Sequence, residues 1–231
     1  MSLSQDRPTN PAKHYLKVKS GAVCYYDKES QENVDVPTPL EFIVLDQLAT
    51  VKGWSDQDES GYWSNEVRHV GRDTLTVRTS KGMKESGIWR DIKGSIGVAG
   101  AKYHSSIYIA VKGRDGLEIN NLSLTGAALN VWIEFTQKNP INTNKITLTG
   151  WNDAKKGSVS YKVPVFEATP MGEAERQEAV ELDKQLQEYL SEYFSYTPDD
   201  DHDDQYVRGV QKDAVIKDID DEPLQISDIP F

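Results

Sequence analysis

Aromatic and cationic side chains are interspersed between Trp54 and Tyr103, a mixture that could hold single-stranded nucleic acid. An exposed ring can stack on a base for roughly 1 to 3 kcal/mol, while nearby Lys and Arg follow the phosphates. The cations cluster in one short region, which strengthens the local positive field. The residues that we predict to contact nucleic acid are Trp54, Trp63, Arg68, Arg72, Arg78, Trp89, Arg90, Lys93, Lys102 and Tyr103.

Each of these rings has an alternative role in a hydrophobic core. Trp and Tyr are large apolar residues that β proteins often bury. If the stretch "GYWS" is a strand, Tyr62 and Trp63 point to opposite faces, so only one of them can face a given groove. The sequence therefore leaves both roles open for each aromatic residue.

Motifs for enzymatic chemistry are not found in the sequence. The stretch "KGSIGVAGAK" lacks the spacing of a Walker loop or a dinucleotide-binding turn, and we expect a tight backbone loop there. The four histidines are scattered, and "DDDHDD" lacks the Gly turn and final Glu of a calcium loop. We assign no catalytic residue, cofactor or metal and expect a protein that is not an enzyme, with dispersed carboxylates as the open alternative.

The only cysteine, Cys24, excludes an internal disulfide and a multi-cysteine zinc site. We expect it to be a small buried residue on a strand. No stretch approaches about 18 consecutive apolar residues, and the N-terminus lacks the apolar core of a signal peptide. These features indicate a soluble intracellular protein without a membrane partner.

The net charge of -11 is distributed unevenly along the chain. Residues 1–170 carry 21 Lys and Arg against 19 Asp and Glu, whereas residues 171–231 carry 5 against 18. The acidity therefore belongs to the C-terminal quarter. Such an asymmetry is typical of a folded domain with an acidic tail.

Most of the chain between Tyr15 and Phe166 has the pattern of β-strands. Segments rich in Val, Ile, Thr and aromatics alternate with turn residues, which favours a mainly β antiparallel barrel or sandwich. Two helices are predicted. One follows Thr125 through "GAALNVWIEFTQ", with a continuing strand as the alternative, and the other has Thr169 as its cap and Pro170 at its first position. From Asp199 onward, dense charge and low hydrophobicity predict disorder.

The C-terminus ends on Asp228, Ile229, Pro230 and Phe231 after an acidic run, and this ending resembles the tip of bacterial and phage single-stranded DNA-binding proteins (SSBs). The resemblance covers only the tail, and the length of the preceding domain is more similar to phage or plasmid SSBs than to the bacterial housekeeping form. In that family the tip recruits replication, recombination and repair proteins. By resemblance, Phe231 would enter a pocket of the partner while its terminal carboxylate meets basic groups.

The sequence patterns and the resemblance together predict three regions: an OB-type Greek-key barrel over residues 1–168 that binds single-stranded DNA, an amphipathic helix over residues 169–196 that packs on the barrel or on a partner subunit, and a disordered acidic tail over residues 197–231. The resemblance also implies a cytoplasmic protein, in the bacterial host cell if the gene is a phage's. A homo-oligomer stays open. The alternative function is an adaptor or inhibitor whose acidic tail mimics DNA or the SSB tip.

Overall fold

The computed structural model describes residues 9–195, which form eleven strands and three helices. In chain order these are β1 (Tyr15–Lys19), β2 (Ala22–Asp27), β3 (Glu32–Val36), β4 (Leu40–Ser55), β5 (Ser60–Ser64), β6 (Leu75–Thr79), β7 (Gly82–Gly87), α1 (Trp89–Val98), β8 (Ala101–Lys112), β9 (Leu117–Leu124), α2 (Gly126–Lys138), β10 (Asn144–Lys156), β11 (Val159–Pro170) and α3 (Glu173–Ser195).

All eleven strands belong to one mixed sheet. Nine of them follow the order β3-β2-β1-β9-β8-β4-β5-β6-β7, and β10 and β11 pair with each other off this path. Only β1 and β9 pair in parallel among these described strands. The long strand β4 pairs with β8 along most of its length, and on its other side it pairs first with β10 and then with β5. A register shift between Val44 and Asp46 interrupts the pairing of β4 with β8. The sheet therefore branches at β4.

The main core lies on one face of this sheet. Helix α2 contributes Leu129, Trp132 and Ile133, which pack with Phe42 of β4 and Phe166 of β11. The rings of Trp132 and Phe166 meet edge to face at 5.1 Å between centroids, a favourable aromatic geometry. The same cluster includes residues of β1, β2, β4, β5, β6, β8, β9, β10 and β11 and the buried side of α1, so one continuous core supports most of the sheet.

Helix α3 covers part of the opposite face. Its Leu186 and Leu190 are fully buried against Leu48 of β4, Tyr108 of β8 and Ile119 of β9. The apolar residues of this helix recur at steps of three and four, which gives it one buried stripe. The predicted amphipathic helix therefore docks on its own sheet.

The start of α3 differs from the sequence-based prediction. Thr169 and Pro170 are the last residues of β11, where Lys145 and Asn144 of β10 pair with them, so neither begins the helix. Instead, the Glu175 carboxylate accepts a hydrogen bond from the backbone N–H of Gly172 at 3.0 Å. A carboxylate at this position satisfies a free amide at the helix start and suits the helix dipole.

The mainly β class and the helix after Thr125 are confirmed. The predicted loop in "KGSIGVAGAK" is wrong for Gly94 and Gly97, which belong to α1; the turn comes at Gly100, with φ +97°. Cys24 is buried on β2, as expected.

Among residues 9–195, none of the helices is both long and apolar enough to cross a lipid bilayer. The predicted disordered tail lies outside the described residues.

Candidate nucleic-acid interface

Four side chains from four neighbouring strands form a row on the sheet face opposite the main core. Lys52 of β4 lies directly opposite Lys102 of β8 on one side and Trp63 of β5 on the other, and Trp63 lies opposite Arg78 of β6. Directly opposite residues of an antiparallel pair share a face of the sheet. We call Lys102, Lys52, Trp63 and Arg78 the Lys52 row; all four are half-buried.

Two further side chains extend this surface. Trp54 follows Lys52 by two residues along β4, and His104 follows Lys102 by two residues along β8. Because side chains alternate along a strand, both lie on the same face as the Lys52 row. Trp54 and His104 are half-buried as well. The surface thus combines two indole rings, three cations and an imidazole.

Two glycines allow the backbone to pack closely at this end of the sheet. A Cβ atom on Gly53 would lie 2.4 Å from the carbonyl oxygen of Gly100, and a Cβ on Gly100 would lie 2.6 Å from the carbonyl oxygen of Trp54. No side chain fits at such distances. Gly53 and Gly100 therefore bring the end of β4 against the start of β8, which sets Lys52 beside Lys102.

Hydrogen bonds fix β5 and β6 beside β4. The Ser64 hydroxyl accepts a hydrogen bond from the backbone N–H of Val51 at 2.8 Å. The buried carboxylate of Asp58, in the turn before β5, accepts one from the Thr79 hydroxyl at 2.9 Å and pairs with Lys84 at 2.7 Å. These contacts join the turn to β6 and β7. They hold β5 and β6, the strands that carry Trp63 and Arg78, in position beside β4.

The positive charges of Lys52 and Lys102 repel each other. Lys52 and Lys102 are like charges directly opposite on adjacent strands, an arrangement that destabilises a sheet. Burial, and then the charges of these two lysines, lower the pKa of His104 to about 3. Burial also lowers the pKa of Lys52, although the nearby Glu66 carboxylate acts in the other direction. An anion placed over the row would relieve this repulsion.

A buried polar network borders the row beneath the C-terminal end of α3. The Glu66 carboxylate accepts hydrogen bonds from the hydroxyls of Ser106 and of Tyr108, the latter at 2.8 Å. The Asn121 amide donates to the Ser106 hydroxyl at 2.8 Å. The backbone N–H of Glu66 donates to the Tyr193 hydroxyl at 2.7 Å. The network therefore ties the last turn of α3 to the sheet next to the Lys52 row.

Trp89 and Tyr103 were predicted to contact nucleic acid, and the structure contradicts this. Trp89 is 6% exposed and Tyr103 is 8% exposed, and their rings pack against each other in the main core at 5.4 Å between centroids. Tyr103 follows Lys102 on β8, so it has to point to the opposite face. Their size and burial make both residues core aromatics.

Four predicted cations lie apart from the row. Arg68 donates to Asp46 at 2.8 Å and lies 5.3 Å from the Phe194 ring centroid, so it anchors α3. Arg72 pairs with the adjacent Asp73 and Arg90 with the adjacent Asp91, each at 3.3 Å. Arg90 and Lys93 belong to α1, whose buried side packs on the main core. The structure therefore brings together only Trp54, Trp63, Arg78 and Lys102 of the ten predicted residues.

Lys52 and His104 are members of this surface that were not among the ten predicted residues. The period-two signal was present, because Lys52 and Trp54 are two residues apart in "VKGW", as are Lys102 and His104 in "KYH". Period-two alternation places the two members of each pair on one face of the sheet, and it places Tyr103 on the opposite face.

The predicted partner-binding residues Asp228, Ile229, Pro230 and Phe231 lie outside the described residues. Within residues 9–195, no three His, Cys, Asp or Glu side chains lie close enough together to hold a metal ion. Comparisons of the chain with family profiles, with curated proteins and with solved structures found no match.

Proposed function

We propose that this protein binds single-stranded DNA with little sequence preference during replication, recombination or repair. The observation that carries the proposal is the Lys52 row, in which three cations and the Trp63 ring share one sheet face. Cations can follow a phosphate backbone, and any base can stack on an indole ring. Neither contact depends on which base is present, so the chemistry favours binding without sequence preference.

The like-charge contact between Lys52 and Lys102 supports this proposal further. Two positive charges directly opposite each other on adjacent strands repel. A bound phosphate would convert that repulsion into attraction, and it would release counterions from the nucleic acid. The assignment of the sheet to an OB-type Greek-key barrel belongs to the same proposal, because such barrels bind oligonucleotides on a sheet face.

The acidic tail and its tip complete the proposed function. By their resemblance to the SSB tip, Asp228, Ile229, Pro230 and Phe231 would recruit proteins of replication, recombination or repair. Upstream acids such as Asp220 and Asp221 would attract a basic partner surface at long range. DNA binding and partner recruitment would then be separate tasks of separate parts of the chain.

An oligonucleotide titration tests the DNA-binding claim. A dT oligonucleotide of about 6 nucleotides should bind with a log–log salt slope of about -2, because three cations each contribute about -0.7 on a single strand. The Lys52→Gln/Lys102→Gln double variant should bind more weakly, with a slope nearer to -0.7. Arg90→Gln is the control, since Arg90 pairs with Asp91 away from the row.

The same titration separates this function from the alternative. An adaptor or inhibitor that acts only through its acidic tail would bind no oligonucleotide, with or without the tail, yet would still capture host proteins. Unchanged affinity and slope in the double lysine variant would instead show that DNA binds elsewhere on the protein.

A further inference from the structure

Strand β1 carries a second group of aromatic and cationic side chains on the same sheet face as the Lys52 row. In the parallel pairing of β1 with β9, Leu16 lies opposite Leu122, and Lys17 lies opposite Ser123. Leu16 and Leu122 belong to the main core, so Lys17 points away from it. Tyr15 and Lys19, two residues to either side of Lys17, share its face.

Strand β2 adds one more ring. Cys24 lies directly opposite Lys17 in the antiparallel pairing of β1 with β2. Tyr26 follows Cys24 by two residues and therefore shares the face of Lys17. We call Tyr15, Lys17, Lys19 and Tyr26 the β1 patch. Tyr15 is 42% exposed.

Polar side chains connect the β1 patch to the Lys52 row. The Ser123 hydroxyl, opposite Lys17, lies 3.0 Å from Nδ1 of His104, which is two residues from Lys102. Within residues 9–195, the apolar contacts of α3 with β8 and β9 lie at Tyr108 and Ile119, farther along these strands than His104 and Ser123. The two groups are parts of one surface.

Lys17 has a setting that structural stability does not explain. It is half-buried on β1, and no carboxylate of residues 9–195 forms an ion pair with it. Burial, together with the neighbouring charge of Lys19, lowers the pKa of Lys17. A partly desolvated ammonium without an opposite charge costs folding free energy. A phosphate would supply the opposite charge.

We propose that the β1 patch is a second contact region for the single-stranded DNA that the Lys52 row binds. The inference rests on the proposed function and adds the path of the strand, which would cross the sheet from Arg78 of β6 to Lys17 of β1. This path covers five strand spacings, about 24 Å along the sheet, whereas the Lys52 row alone covers three, about 14 Å. Charge complementarity and the continuity of the two surfaces favour the phosphodiester chain as the occupant.

The test compares two oligonucleotide lengths on the full chain. Site sizes in OB folds run from roughly 4 to 16 nucleotides, so dT oligonucleotides of about 4 and about 16 nucleotides are suitable probes. The Lys17→Gln/Lys19→Gln variant should lose about 25-fold in affinity for the longer probe at 0.1 M salt, and its salt slope should shrink by about 1.4, if each lysine contacts one phosphate. Affinity for the shorter probe should stay unchanged.

Two further variants keep the result interpretable. Tyr15→Ala changes an exposed ring, so the fold should survive, and binding of the longer probe alone should weaken about fivefold or more. Lys112→Gln/Lys138→Gln removes the same charge at exposed positions at the far end of β8 and the end of α2, and it should affect neither probe. Equal circular dichroism spectra and unfolding midpoints establish that the variants are folded.

Three outcomes would overturn the inference. Wild-type affinity of Lys17→Gln/Lys19→Gln for the longer probe would show that the β1 patch contacts no DNA. If the variant loses as much affinity for the shorter probe as for the longer one, or if the Lys112 and Lys138 control loses as much affinity, the effect comes from the net charge of the protein. It would then not come from a contact at the β1 patch. If the wild-type chain binds neither probe, the proposed function fails and this inference falls with it.

Discussion

Replacing Trp63 by alanine removes the ring at the centre of the Lys52 row while leaving its three cations in place. If a base stacks on this ring, the loss is roughly 1 to 3 kcal/mol of binding free energy. The dissociation constant for a dT oligonucleotide should then rise about 5- to 150-fold. The salt slope should not change, because no cation has been removed.

Tryptophan fluorescence provides a second readout of the same contact. Trp132 is fully buried, Trp89 is 6% exposed, and Trp151 of β10 packs against the main core, so none of these three rings belongs to the face of the Lys52 row. Quenching by DNA should therefore come mainly from Trp54 and Trp63. The Trp63→Phe variant should keep nearly wild-type affinity, because a phenyl ring still stacks, but it should lose a large part of the quenching.

Trp89→Phe is the matched control for this experiment, since it makes the same chemical change in the core. It should leave both the affinity and the DNA-induced quenching intact. The reasoning is refuted if Trp63→Ala is folded and binds as tightly as the wild type. It is equally refuted if the quenching disappears in Trp89→Phe and persists in Trp63→Phe.

Three more predictions concern pH, the tail and the tip. Because His104 has a pKa of about 3 in the folded chain and about 6.5 when unfolded, acid favours unfolding between these values. Denaturant titrations from pH 7 to 5 should show that the wild type loses about 2 kcal/mol more than His104→Gln; equal losses contradict this. Truncation after Tyr196 should tighten DNA binding in anisotropy assays if the acidic tail competes for the cationic surface, and unchanged or weaker affinity contradicts that competition. Deleting Phe231 should abolish capture of host replication and repair proteins in pull-down assays without weakening DNA binding; weaker DNA binding would show that the tip has another task.

The sequence was sufficient for the elements that rest on local periodicity. The helix after Thr125 and the helix that buries Leu186 and Leu190 follow from steps of three and four residues. The helix start at Glu173 could not be found this way, because pairing with β10 extends β11 through Pro170 and overrides the local preference for a helix start.

The candidate site could be predicted only in part, because it depends on strand register. Composition identified Trp63 and Arg78, but only the pairing of β4 with β8 shows that Lys52 meets Lys102. Trp89 is buried because α1 packs on the sheet, and the composition of the sequence does not specify this packing. Long-range pairing thus decides which of many similar side chains share a face.

The most direct test of the central claim is a titration of the full chain with a dT oligonucleotide, followed by anisotropy and tryptophan fluorescence over a series of salt concentrations. We predict tight binding at low salt, tryptophan quenching, and a log–log salt slope of about -2 or steeper. The absence of both an anisotropy change and quenching at low salt would contradict the claim that this sheet face binds single-stranded DNA.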